Sequence, residues 1–145
     1  MNEKVKAMDE NTKARWVEVK AWYICQEILK NHNDLMELYA IVEGLSAFGN
    51  YPAEAAKTII NEMLTFTRYR PNQEEYILLL YHADIPLAHI KTITKWSGKR
   101  LYKLLNDDKE NPRGFFPRFA PPQIEILGKF VDAIEKIGEC FNNVS

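Results

Sequence analysis

Residues Ile85 to Asn106 read IPLAHIKTITKWSGKRLYKLLN. Ile90 and Ile93 give a first short helix an apolar side, and Trp96 stands where the chain must turn inward. Ser97 suits an N-cap, because its hydroxyl accepts from a free amide of the following turn. Leu101, Leu104 and Leu105 then recur at helical spacing, which predicts a second helix buried by its leucine side. Lys99, Arg100, Tyr102, Lys103 and Asn106 are left as the polar remainder. Two short helices around a tight turn form a helix-turn-helix over residues 86–106. A second helix that is apolar on one side and cationic on the other fits the major groove of a duplex. An ordinary helical hairpin with a solvated Lys/Arg face produces the same pattern.

The flanking sequence is also helical in period. Upstream, NQEEYILLLYH (residues 72–82) begins with Asn72 and Glu75 at capping-box spacing, and Tyr76, Ile77, Leu79 and Leu80 make it a central helix. Ala83 to Pro86 is a short link, with Pro86 suited to a first helical turn. Further back, the pattern predicts a helix from about Asn11 to Lys30 through Trp16, Val19, Tyr23, Ile28 and Leu29. KNHND breaks it, and Asn33 is positioned to cap a helix carrying Leu35, Leu38, Val42 and Leu45. AFGNY (residues 47–51) reads as a turn with Gly49 as the helix stop, and Pro52 starts a helix whose buried side is Ala56, Ile59, Ile60, Met63 and Leu64. That helix is expected to end in TRYRP, since Pro71 disfavours helix at Arg70. Downstream, residues 107–123 hold four prolines, Gly114 and three phenylalanines and cannot be helical throughout. A last amphipathic helix is expected from about Pro122 to Phe141, with Leu127, Phe130, Ile134, Ile137 and Phe141 as its seam.

The sum is an all-α protein of about seven helices. It divides into an N-terminal helical region (1–70), the helix-turn-helix region (71–106), a Pro/Phe-rich linker (107–122) and a C-terminal helix (123–145), which are expected to form one compact domain overall. At 145 residues with 46% hydrophobic content the chain can bury a core. Its apolar runs are too short to span a bilayer, and the charged N-terminus is no secretory signal, so a cytoplasmic location is expected. Cys25 and Cys140 lie far apart with no metal-ligand spacing and read as reduced thiols.

The net charge of −1 averages unlike segments. Residues 1–85 carry 9 cations and 13 anions, residues 86–118 carry 8 and 3, and residues 119–145 carry 2 and 4. The positive block coincides with the second helix of the pair and the loop after it. Polyanion binding needs such a local surface rather than a basic total, because it is driven by counterions released where phosphates are met.

Over residues 72–106 the chain resembles the helix-turn-helix of bacterial sigma factor region four, a plan shared by small phage and mobile-element regulators. The resemblance rests on EEYILLLYH, the Asp84-Ile85-Pro86 link, Ile90 and Ile93, the Trp96-Ser97 turn, and Leu101 with Leu105. It implies that Gly98, Lys99, Arg100, Tyr102 and Lys103 enter the major groove. Two positions depart from the family pattern: Lys91 replaces a small residue, and Lys95 replaces a glycine.

No Gly-rich phosphate loop, GxSxG or metal-ligand set is present in the sequence, and His32, His82 and His89 lack partners at ligand spacing. Neither a cofactor nor enzymatic chemistry is expected. The expected partner is double-stranded DNA. Lys99, Arg100 and Lys103 meet bases or phosphates, Tyr102, Asn106 and Ser97 are secondary contacts, and Lys91, Lys95 and Arg113 meet the backbone. Phe115, Phe116 and Phe119 are expected to anchor the linker, with Arg118 solvated or on phosphate. A homo-oligomer, with a dimer favoured, is expected through the C-terminal helix. The alternatives are a DNA-packaging component like a phage small terminase subunit, a replication component, or a helical adaptor or inhibitor that docks on a host protein through Trp16, Trp22 and Tyr23.

Overall fold

A computed structural model describes residues 9–32, 34–66 and 71–144. Among them the protein is all-α, with eight helices and no strand: α1 Glu10–His32, α2 Leu35–Gly44, α3 Ser46–Gly49, α4 Ala53–Thr65, α5 Gln73–His82, α6 Leu87–Thr94, α7 Gly98–Glu110 and α8 Pro121–Val144. By contacts the chain groups into two units, one of residues 1–16 with 71–117, the other of residues 17–70 with 118–145. None of the described helices is long and apolar enough to cross a membrane.

The second unit is built on the face that α8 turns to the rest of its unit. Leu127, Phe130 and Val131 of α8 join Ala21 and Cys25 of α1, Leu38 and Val42 of α2, and Ile59, Ile60 and Met63 of α4 in one buried cluster. α2 and α4 run antiparallel, since Tyr39 bonds Asn61 at 2.7 Å while Glu43 meets Lys57 at 3.2 Å. α8 lies on α1, where Glu135 pairs with Lys20 and Gly128 faces Val17. Burial pushes the Cys25 thiol up to about 12, so it stays protonated.

Glu18 is 2% exposed, and a carboxylate so buried requires donors. It accepts from the backbone amides of Arg118 and Phe119, each at 2.8 Å. Phe119 is buried beside it, and Phe115 is buried in the other unit, but Phe116 is 59% exposed. Two of the three expected aromatic anchors therefore anchor, and Phe116 does not.

Three further expectations change. Residues 47–51 contribute a short helix, α3, which accounts for the eighth element. Its stop is Asn50 in the left-handed region (φ 56°) rather than Gly49. Gly49 is needed for packing: a β-carbon there would lie 2.7 Å from the Tyr51 ring and 3.1 Å from the Ala133 methyl. Finally, α2 is capped by Asp34, whose carboxylate accepts from the Met36 amide at 2.9 Å. Asn33, the expected cap, lies outside the described residues, as do residues 67–70 of the TRYRP stop.

The first part of the α8 seam is internal, and Ile137 further along it is half-buried. Leu127 and Phe130 are fully buried and Ile134 packs against the same core, so the chain itself covers these three of the five seam residues. The Phe141 side chain lies outside the described residues. Of the aromatics expected on an adaptor surface, Trp16 is 6% exposed, while Trp22 and Tyr23 are half-buried and meet edge to face.

Candidate nucleic-acid interface

The first unit holds α5, α6 and α7, with a tight turn between the last two, and its supports follow from local chemistry. Asn72 caps α5 by accepting from the Glu75 amide at 2.8 Å. Only that half of the expected capping box operates, because the Glu75 carboxylate is engaged by Arg15 at 2.8 and 3.0 Å. Ile77 to Leu80 are all buried, which makes α5 the central rod. Asp84, in the left-handed region (φ 68°), turns the chain out of α5 into Pro86 and α6.

α6 places Ile90 fully in the core. Ile93 is 42% exposed, contrary to its expected apolar role. Lys95 then adopts φ 62°, ψ 18°, the left-handed conformation that a glycine would enter without strain. Lys95→Gly is accordingly expected to raise stability by about 1 kcal/mol, read as a higher urea midpoint at unchanged slope.

Trp96 closes the turn at 8% exposure, and its Nε1 donates to Gln73 Oε1 at 3.1 Å. Ser97 caps α7 as expected, its hydroxyl accepting from the Arg100 amide at 3.2 Å. Leu101 is buried at 1% exposure, with Leu104 and Leu105 half-buried beside it. That register directs Lys99, Tyr102, Lys103 and Asn106 outward, and all four are exposed. With Ser97, Arg100 and Asp107 they line a shallow groove of about 780 Å³ along the outer side of α7.

Several cations elsewhere in the described chain are paired: Lys20 with Glu135, Lys57 with Glu43 and Glu54, and Lys129 with Glu125. Lys91, Lys95, Lys99 and Lys103 make no ion pair with any described residue. Lys91 also approaches the start of α7, since a β-carbon at Gly98 would lie 3.6 Å from its Nζ. An ammonium beside a helix N-terminus adds positive potential to amides that already point at solvent, an arrangement that an anion relieves.

No protein-family model, curated protein or solved structure matches the chain.

Arg100 and Arg113 are placed differently from the lysines. The Arg100 guanidinium lies 3.6 Å from the centroid of the Trp96 ring. Arg113 reaches back to Glu74 at 3.1 Å, and its amide donates to Asp108 at 3.1 Å. Asp108 also faces His82 Nε2 at 3.4 Å, and the His82 ring meets buried Phe115 edge-on, so these contacts fix the chain after α7. A phosphate at Arg113 would compete with Glu74. A cleft of about 670 Å³ between α5, α7 and residues 111–113 has Arg100, Lys103 and Arg113 on its walls with Glu74, Asp107 and Asp108. His89 is exposed on α6, and among the described residues no His/Cys/Asp/Glu cluster is arranged to hold a metal ion.

Sequence reasoning did not identify Gln73 or the stacking role of Trp96. The signal was present in the spacing, since Arg100 stands four positions after Trp96, close enough to fold back over it.

Proposed function

We infer that the protein binds double-stranded DNA by laying the outer side of α7 in the major groove, as a small regulator of the bacterial or phage kind acting in the cytoplasm. The observation that carries this reading is the exposed run of Lys99, Lys103, Tyr102 and Asn106 on a helix held from behind by Leu101, with neither lysine in an ion pair with a described residue. Lys91, Lys95 and the capped start of α7, with Ser97, meet backbone phosphates and set the orientation. The reading assigns no chemistry and no cofactor to the chain. If the protein binds as a dimer, it must use a surface other than the Leu127–Phe130 side of α8, which is already covered.

Lys99→Ala/Lys103→Ala tests it. The double variant is expected to bind a mixed-sequence duplex at least about tenfold more weakly, with a log K against log[salt] slope shallower by about 2. Its urea midpoint should match the parent's, because both side chains are exposed. Unchanged affinity would remove α7 as the contact surface.

A further inference from the structure

α7 carries two kinds of cation. Successive helical residues turn by about 100°, so Lys99, Lys103 and Asn106 share a narrow outward sector. Arg100 is displaced by roughly a quarter turn toward the cleft that Trp96 lines. Lys99 and Lys103 are point charges on flexible stems, suited to phosphates at any sequence.

Arg100 is held. Its guanidinium lies on the Trp96 ring, 3.6 Å from the centroid. Trp96 is buried and fixed in turn by its bond to Gln73 on α5. Stacking occupies the face of the guanidinium and leaves the N–H donors at its edge free, because all five lie in its plane. It also restricts rotamers before a ligand arrives, which lowers the entropic cost of an oriented contact. Arg100 borders the outer groove as well as the cleft, so those donors have access to the face that bears Lys99 and Tyr102.

We propose that Arg100 is the base-reading residue of this interface, that it recognises a guanine through the paired O6 and N7 acceptors, and that Trp96 and Gln73 are positioning residues for that contact. The proposal rests on the duplex-binding reading above. Lys99 and Lys103 then supply attraction without sequence preference, and the two functions separate by residue.

The test selects bound duplexes from a library with a randomised central segment. Affinities are then measured for the enriched duplex and for the same duplex with its selected guanine changed to adenine. The full-length protein is expected to enrich a guanine and prefer it by roughly tenfold or more. Arg100→Lys keeps the charge but not the fork, and should bring that preference to within about twofold. Trp96→Leu should do the same while Trp96→Phe, which keeps an aromatic face, retains the preference. Lys99→Ala/Lys103→Ala should weaken both duplexes alike and leave their ratio intact. Arg100 is exposed, so Arg100→Lys remains decisive even if Trp96→Leu fails to fold. Guanine preference surviving in Arg100→Lys would overturn the proposal. Salt-sensitive duplex binding by the parent with no guanine enriched would overturn it while sparing the duplex reading. Absence of duplex binding by the parent would overturn both.

Discussion

Glu75→Ala is expected to lower the unfolding free energy by about 3–5 kcal/mol, read from urea denaturation. The cause is the bidentate contact taken from a buried cation. Arg15 is 2% exposed, and its guanidinium gives Glu75 two hydrogen bonds, from Nε at 3.0 Å and Nη2 at 2.8 Å. Bidentate pairing of this kind contributes to compensating the desolvation of a buried guanidinium, and removing the acceptor withdraws two charge-assisted hydrogen bonds at once. The Asn72 cap depends on the Glu75 amide rather than its side chain, so the cap survives the substitution. Replacing both partners by apolar residues, Arg15→Met with Glu75→Leu, should cost less than Glu75→Ala alone. A double variant as unstable as the sum of the single ones would show that the two side chains act independently.

Phe130→Ala is expected to cost about 3–5 kcal/mol, because the ring is fully buried and its removal leaves a cavity among α1, α2, α4 and α8. The ring also meets Tyr51 edge-on, with centroids 6.3 Å apart. Tyr51 in turn donates its hydroxyl to the Val42 carbonyl, which ties the chain before α4 to α2. The same variant bears on assembly. Because Phe130 belongs to the chain's own core, the loss should not depend on protein concentration, whereas an intersubunit Phe130 would make it do so.

That core also sets an alkaline limit. Burial raises the Tyr51 phenol from 10.0 to about 12 and the Cys25 thiol from 9.0 to about 12. The folded state therefore keeps protons that the unfolded chain releases first. Their stabilisation is complete below about pH 9 and is lost as pH rises toward 12. Denaturation midpoints measured across that window should fall, and a Tyr51→Phe variant should fall less steeply.

Local, periodic features were legible in the sequence. The Ser97 cap, the Asn72 cap, the Pro52 and Pro86 helix starts and the burial of Ile90 and Leu101 each follow from residues within one or two turns, and the structure places them as read. What failed required knowledge of distant neighbours. Gly49 looked like a stop because glycine often ends helices, yet it is small so that Tyr51 and Ala133 can approach. Glu75 had the spacing of a capping box, but a buried arginine sixty residues earlier claims its carboxylate. α8 showed an apolar seam with no indication of whether the rest of the chain or a second copy would cover it. In the candidate interface the outward set of Lys99, Tyr102, Lys103 and Asn106 was fixed by the leucine register alone. The Trp96–Arg100 stack had a signal in its four-residue spacing, but the pairing of Arg113 with Glu74 and the bond from Trp96 to Gln73 were not legible, since each joins a residue of α5 to one far along the chain.

The most direct measurement is a titration of the full-length chain against a labelled mixed-sequence duplex at a series of salt concentrations. Cations that meet phosphates release counterions, so affinity should fall steeply and linearly on logarithmic axes, by about 0.9 in slope for each phosphate neutralised. No binding at the lowest salt, or binding indifferent to salt, would contradict the role given to α7.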